Sequence, residues 1–200
     1  MPLFRRRAGV TTGGSGAANR VPDLLAELVA EPRTLGEELH GRPPRLSIFI
    51  SSKMAGGVYV TERRRCAETI DGTGMAGAWY WERDANAGPY CSVEVCLRQA
   101  AHADGLILIL GDQLTDTTRQ EYEVARGRGL PTFVFVDQRQ TQNAEAQAFV
   151  TAARGHSVTK NFANEDELRT HVLAALAEFV TRSWRQNSHE YWQRHRGGAA

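Results

Sequence analysis

Apolar positions follow two alternating periods along the chain from residue 46 onward. Short, nearly continuous apolar runs are typical of strands covered on both faces of a parallel sheet. They predict five strands, of which the last has the weakest apolar pattern: RLSIFIS, GAWYWE, DGLILILGD, PTFVFVD and SVTKNFA. Apolar residues at helical spacing predict five helices between and after them: YVTERRRCAETI, SVEVCLRQAAHA, TTRQEYEVARGR, AEAQAFVTAARG and EDELRTHVLAALAEFVTRSW. This alternation predicts an α/β fold with a doubly wound parallel sheet.

The pattern also predicts how the chain is divided. Residues 1–20 are rich in Gly, Ser and Thr without periodicity, which predicts a disordered leader. Residues 21–45 contain the short amphipathic pattern VPDLLAELVAEP and then a Pro-rich linker. The α/β domain is predicted over 46–186, and the polar tail 187–200 is expected to fray.

Composition narrows the function classes. The chain has 200 residues with 42% apolar and 24% charged content, enough for one core. Its 24 basic and 23 acidic residues give a net charge of +1, so no nucleic-acid partner is expected. The three cysteines, Cys66, Cys91 and Cys96, form no CxxC pair, and neither a signal peptide nor a membrane span is apparent. We therefore expect a cytoplasmic protein without a membrane partner.

Two glutamates in the helix TTRQEYEVARGR point in different directions. At about 100° per residue, Tyr122, Val124 and Ala125 define its apolar side. Glu121 falls near the middle of that side and Glu123 nearly opposite. An inward carboxylate near a helix start, beside the loop end of a sheet, costs desolvation energy unless something compensates for it, which makes Glu121 the residue to consider for chemistry. The alternative is that Glu121 caps the helix or an adjacent loop amide.

Several stretches resemble a known family. LSIFISS, TERRR, ADGLILILG and EYEVARGRGLPTFVFV, within Leu46 to Asp137, resemble the TIR-like domain-of-unknown-function family often fused to NACHT-type ATPases in bacterial defence and signalling systems. That family is similar in turn to TIR domains and nucleoside deoxyribosyltransferases. The glutamate on the matching helix of those proteins corresponds to Glu121, and the alanine four residues later corresponds to Ala125. The following turn falls on residues 129–131.

The resemblance implies a TIR-like, flavodoxin-like fold and cleavage or transfer at an N-glycosidic bond of NAD or a nucleoside. A carboxylate below the anomeric carbon stabilises or attacks the cationic ribose, a role that falls on Glu121. It implies no cofactor, with NAD or a nucleotide as the substrate. The expected protein partners are a sensor or ATPase and, in the active form, further copies of the same chain.

Loops at the carboxyl ends of the strands supply candidate binding residues, because ligands of such sheets collect there. Ser51 and Ser52 are predicted to donate hydrogen bonds to ribose or phosphate oxygens, and the amides around Lys53 to hold an anion. Trp81 is predicted to stack on a base, and Asp112 to hold a ribose hydroxyl. Each of these residues also has a structural alternative. The serines cap the turn, Trp81 belongs to the hydrophobic core, or Asp112 stabilises its turn.

The first loop departs from the family pattern. Many members have an Asp-Leu pair before a Glu-Arg pair, whereas KMAGGVYVTER inserts glycines and lacks that Asp. Glu62 and Arg63 match the Glu-Arg pair and are predicted to be an exposed, structural pair.

Two other motifs do not have the context that their function needs. GTGMAG has the glycine spacing of a dinucleotide-binding loop, but it follows a predicted helix instead of a strand. His189 and His195 are six residues apart rather than the four of a helical zinc motif, so no metal site is predicted. Two hypotheses remain open: a nucleotide N-glycosidase, and a non-catalytic TIR-like module that binds a partner or senses a nucleotide.

Overall fold

Five parallel strands form one sheet in the computed structural model, which describes residues 20–30 and 45–196, with side chains over 21–30 and 45–189. The strands are β1 (Leu46–Ser52), β2 (Ala76–Trp79), β3 (Gly105–Leu110), β4 (Thr132–Asp137) and β5 (Thr159–Phe162). Their order is β2-β1-β3-β4-β5, with every neighbouring pair parallel. This is the predicted flavodoxin-like α/β arrangement.

Seven helices accompany the sheet in the described residues. They are α1 (Arg20–Ala30), α2 (Val60–Gly72), α3 (Trp81–Asp84), α4 (Ser92–His102), α5 (Asp116–Gly127), α6 (Ala144–Ala153) and α7 (Glu165–Arg196). A 3₁₀ turn at Ala55–Gly57 precedes α2. The predicted leader falls outside the described residues apart from Arg20, and so do residues 31–44 of the linker and the last four residues of the tail.

Alternating strand residues pack against helices on both faces of the sheet. Phe49, Leu106 and Val134 face one cluster with α1, α4, α5 and α6. Ile48 and Ile107 face a second cluster with α2 and α7. Because both faces are covered, β3 is buried along its whole length, as its unbroken GLILIL run predicts.

The sheet reverses its strand order between β1 and β3, which are adjacent although β2 lies between them in sequence. Loops leave the carboxyl ends of these two strands in opposite directions and open a crevice, where ligands of doubly wound sheets bind. The segments after Ser52 and Leu110 flank that crevice.

Two predicted elements differ in length. The strand predicted as GAWYWE ends at Trp79, because the Asp84 carboxylate accepts the N–H of Tyr80 and closes the short helix α3. The last helix continues beyond Trp184 to Arg196. No helix in the described part of the chain is long and apolar enough to cross a membrane.

Candidate active site

Glu121 lies near the middle of α5 and faces the sheet. Its side chain is 3% exposed, whereas Glu123 is exposed, which confirms the predicted orientations. Thr115 caps α5 by accepting the N–H of Thr118. The cap predicted as an alternative role for Glu121 is therefore supplied by another residue.

A short hydrogen bond joins Glu121 to the end of β1. Ser51 Oγ donates to Glu121 Oε2 at 2.5 Å, and both side chains are buried. The buried Cys96 side chain on α4 lines the same small cavity as this carboxyl. The Ser51 bond thus joins α5 to the end of β1.

The surroundings of Glu121 favour its protonated form. Burial raises its pKa from the ordinary 4.5 to about 7, although the hydrogen bond from Ser51, the nearby Cys96 thiol and the charge of Arg63 oppose the rise. A carboxyl group with this pKa is about half ionised at neutral pH. Such a group can exchange a proton, or act as an anion, near physiological pH.

Arg63 supplies the nearby positive charge from α2. Its side chain is 1% exposed and pairs with Glu82 of α3 through both Nε, at 2.9 Å, and Nη2. Nη1 donates to Ser52 Oγ and to the carbonyl oxygens of Lys53 and Val58, at 3.3 and 3.2 Å. Arg63 therefore ties the β1–α2 loop to α3.

The prediction that Glu62 and Arg63 form an exposed pair is wrong. Both side chains are buried, at 9% and 1% exposure. Arg63 precedes Cys66 and Ile70 by three and seven residues, so it lies on the inward face of α2, and its guanidinium is satisfied there by hydrogen bonds. That spacing was the signal that could have identified it.

A small cavity of about 10 Å³ lies beside Glu121. It has room for about one water molecule. Four residues predicted to form the site contribute to its wall, namely Ser51, Ser52, Trp81 and Glu121. The remaining lining residues were not predicted: Phe49, Ile50, Met54, Arg63, Trp79 and Cys96.

Lys53 and Asp112 do not line this cavity. They pair with each other across the ends of β1 and β3, with Lys53 Nζ 3.3 and 3.2 Å from the two Asp112 carboxylate oxygens. Both side chains are partly exposed. The six predicted site residues thus form two neighbouring groups.

A second polar cluster occupies the α2 and α7 side of the same sheet edge. Arg139 donates to Asp137 at 2.8 and 2.9 Å and to Glu62 at 2.6 Å, and the Tyr59 hydroxyl donates to Asp137 at 3.1 Å. Burial acts to raise the pKa of Asp137, but the bonds and charge of Arg139 and the Tyr59 bond lower it overall. The rule that selected the other loops applies equally to Asp137, which ends β4.

The backbone around Tyr59 is constrained. Tyr59 has a positive φ of 64° at the start of α2, a conformation that tyrosine seldom adopts. Its ring lies so close to Gly111 that a Cβ at 111 would overlap the hydroxyl oxygen. Gly111 is therefore required where the β1–α2 loop crosses the end of β3.

Metal ligands are not gathered at either cluster. Among the described side chains, those of residues 21–30 and 45–189, no three of His, Cys, Asp or Glu are placed to hold a metal ion together. The site consists of a buried carboxyl, its hydrogen-bond donors and an indole.

A family model described as "Domain of unknown function (DUF4062)" matches residues 47–177. The chain belongs to the DUF4062 family. The DUF4062 match runs from β1 into α7 and includes Ser51, Arg63, Cys96 and Glu121, while α1 precedes it. No curated protein matches the sequence.

One solved structure shows a limited likeness to the fold of this DUF4062 chain. It is the metal-soaked Flv1 flavodiiron core from Synechocystis sp. PCC6803, at 13% identity and a TM-score of 0.45. The aligned part covers 70% of the chain and 36% of the flavodiiron core, so the chain spans about a third of that protein's length.

Proposed function

We propose that this DUF4062 domain cleaves or transfers at an N-glycosidic bond of NAD or a nucleoside-type substrate, with Glu121 as the catalytic carboxylate. The observation that carries the proposal is the buried Glu121 carboxyl, which accepts the hydrogen bond of Ser51 at the carboxyl end of β1. Its match to the helix glutamate of TIR domains and deoxyribosyltransferases supports the same role.

The chemistry requires one anionic group below the ribose. As the C1–N bond breaks, its electron pair moves to the base, and nicotinamide leaves NAD as a neutral molecule. Ionised Glu121 stabilises the positive charge that develops on the ribose, or bonds to C1. Water or another acceptor then adds to C1 and loses a proton. Because nicotinamide leaves as a neutral molecule, cleavage of NAD does not require a separate acid; the base of a nucleoside leaves as an anion and takes up the proton that the attacking water loses.

The neighbouring residues suit parts of such a substrate. Trp81 presents an indole beside Glu121, where a base could stack. Lys53 and Asp112 stand at the crevice between β1 and β3, where phosphate and ribose hydroxyl groups would lie. In the present arrangement, Ser51 donates to Glu121 and Ser52 accepts from Arg63, so substrate binding involves an exchange of hydrogen bonds.

Access to Glu121 requires movement, because a cavity of about 10 Å³ cannot admit a ribose ring. Trp81 and Met54 are the lining residues contributed by α3 and the β1–α2 loop. We propose that assembly with further copies, or a sensor or ATPase partner, displaces these segments. This accords with a role in bacterial defence or signalling.

The small volume of this cavity also favours the second candidate. A non-catalytic module would keep Glu121 permanently bonded to Ser51 as part of its core, and would bind a partner or a nucleotide without turnover. The two candidate functions differ in whether Glu121 contacts a substrate.

The test is base release from NAD, NADP and a nucleoside panel by concentrated protein. We expect Glu121→Gln to lower turnover by about 10²-fold or more, because an amide cannot stabilise the ribosyl cation as an anion does. Glu123→Gln on the exposed side of the same helix is the matched control and should retain full turnover. An equally active Glu121→Gln variant would contradict the assignment. Absence of turnover in the wild type, with nucleotide binding retained, would favour the module.

A further inference from the structure

Arg63 is a buried cation whose charge is balanced by the Glu82 carboxylate. Its side chain is 1% exposed, and Nε donates to Glu82 Oε2 at 2.9 Å while Nη2 donates to Oε1 of the same carboxylate. The remaining nitrogen, Nη1, donates to Ser52 Oγ and to two carbonyl oxygens of the β1–α2 loop. One edge of the guanidinium is therefore fixed to the loop, and the other edge holds an anion.

The edge that holds Glu82 has the geometry of a phosphate site. The N–H groups along one edge of an arginine bind a carboxylate and a phosphate in the same bidentate manner. Glu82 lies on the one-turn helix α3 and its side chain is 29% exposed, so it is the partner of this pair that contacts solvent. Its carboxylate occupies the place that an anion from solution would take.

Arg63 lies beside the candidate catalytic carboxyl. Ser51 and Ser52 are successive residues at the end of β1. Ser51 bonds Glu121 on α5, whereas Ser52 bonds Arg63 on α2, and these two helices cover opposite faces of the sheet. The carboxyl and the guanidinium therefore approach the carboxyl end of β1 from its two sides. A sugar phosphate whose ribose reaches Glu121 would have a cation nearby for its phosphate group.

Opening of the site creates a need for an anion. The cavity beside Glu121 is too small for a ribose, and α3 is among the segments whose displacement would enlarge it. Because Trp81 and Glu82 are adjacent on α3, the movement that opens the cavity also withdraws the Glu82 carboxylate. A guanidinium left in a buried position without an anion is strongly disfavoured. A substrate that brings its own negative charge compensates for this loss, whereas an uncharged nucleoside does not.

We propose that Arg63 binds a phosphate group of the substrate, and that Glu82 occupies this position in the present arrangement as an internal substitute for the phosphate. The substrate class is then a nucleotide or dinucleotide rather than a nucleoside. A dinucleotide carries two phosphate groups, so Arg63 and Lys53 can each hold one. This inference rests on the proposed function, in which Glu121 acts on the same molecule. The exchange of Glu82 for a phosphate is nevertheless measurable by binding alone, so the two ideas can fail separately.

The test is isothermal titration calorimetry with AMP and adenosine, which differ only by a phosphate group. The wild type should bind AMP at least about tenfold more tightly than adenosine, because only AMP supplies a charged partner for Arg63. Glu82→Ala should bind AMP about tenfold more tightly than the wild type, because the phosphate no longer has to displace a carboxylate. Glu123→Ala, on the exposed side of α5, is the control and should bind AMP as the wild type does.

A neutral double variant removes the anion site without leaving a buried charge. Arg63→Gln alone would leave the Glu82 carboxylate without its guanidinium, whereas Arg63→Gln combined with Glu82→Gln removes both charges together. Thermal unfolding establishes that the double variant is folded, and it should bind AMP no more tightly than adenosine. In Glu82→Ala, inorganic phosphate should raise the Tm more than chloride does at equal ionic strength, because it replaces the missing carboxylate.

The outcomes separate the anion site from the proposed function. Equal affinity of the wild type for AMP and adenosine, or no AMP binding by Glu82→Ala, would overturn the role of Arg63, while Glu121-dependent cleavage of nucleosides would still support the proposed function. An AMP preference that persists in the double variant would place the phosphate at another cation, such as Lys53, and would also overturn it. A preference that disappears in the double variant supports the anion site, even if the wild type releases no base and the catalytic role of Glu121 fails.

Discussion

The ionisation of Glu121 links the site to the stability of the fold. Because the folded state raises its pKa from 4.5 to about 7, the folded protein binds this proton more tightly than the unfolded chain. The stabilisation is therefore complete below pH 4.5 and is lost as the pH rises through 7. Its size is at most about 3 kcal/mol.

We predict that Glu121→Gln removes the dependence of the unfolding free energy on pH that arises from this carboxyl group. Urea unfolding of wild type and variant between about pH 5 and 8 measures the difference in unfolding free energy. The wild type should lose stability relative to the variant across that interval, because only the wild type must ionise a buried group. A difference that stays constant with pH would show that Glu121 titrates at its ordinary value.

Residue periodicity predicted the inward direction of Glu121 but not what surrounds it. The apolar side of α5 is local information, so the separation of Glu121 from Glu123 could be derived from the chain alone. The bond from Ser51 to Glu121 joins residues far apart in sequence. Arg63 was misassigned because a charged side chain is normally exposed, whereas its hydrogen bonds satisfy it in the interior.

At the scale of elements, α1 lies before the family match but packs into the domain core. Leu28 is 0% exposed and belongs to the cluster with α4 and α5, the helices that carry Cys96 and Glu121. The Arg128 guanidinium also donates to the carbonyl oxygen of Leu28 at 2.5 Å. The short amphipathic pattern therefore acts as a third helix covering this pair.

We predict that Leu28→Ala lowers the unfolding free energy by about 2–5 kcal/mol, since it leaves a cavity under α1. Chemical denaturation monitored by far-ultraviolet circular dichroism measures this loss. Glu27→Ala on the exposed side of α1 is the control and should change little. A Leu28→Ala variant as stable as the wild type would mean that α1 contributes nothing to the domain.

Most helices and strands were predictable from the sequence, and the errors, at the ends of β2 and α7, have local causes. Continuous apolar runs identified the strands because both sheet faces are covered. The aromatic run after Gly77 also looked strand-like, but Asp84 turns it into α3. The end of α7 was placed too early because a polar sequence gives no core-facing period, although it remains helical to Arg196.

At the scale of the whole molecule, the parallel orientation of all strands places three loops at one end of the sheet. Tyr59 comes from the loop after β1, Gly111 follows β3 and Asp137 ends β4. Alternation of strands and helices predicted this topology, since parallel strands require crossover helices. The contacts between these loops form only when the sheet is assembled, so no local sequence pattern predicts them.

We predict that Gly111→Ala destabilises the domain by about 1–3 kcal/mol, because the added methyl group displaces the Tyr59 ring and its bond to Asp137. The loss is measured as a lower Tm and denaturation midpoint. Gly77→Ala is the control, since a Cβ there meets nothing within 4 Å. Equal stability of the Gly111→Ala variant and the wild type would show that the Tyr59 contact is adaptable.

The three cysteines differ in their accessibility. Cys66 and Cys96 are buried, whereas Cys91 is exposed immediately before α4. A thiol-reactive fluorophore would therefore couple at Cys91 in the unmodified protein, five residues before Cys96, which lines the small cavity beside Glu121. Changes in its emission on adding nucleotide would report movement at the start of α4 in real time. The sequence thus already contains a single-site spectroscopic probe on the helix that lines the candidate site.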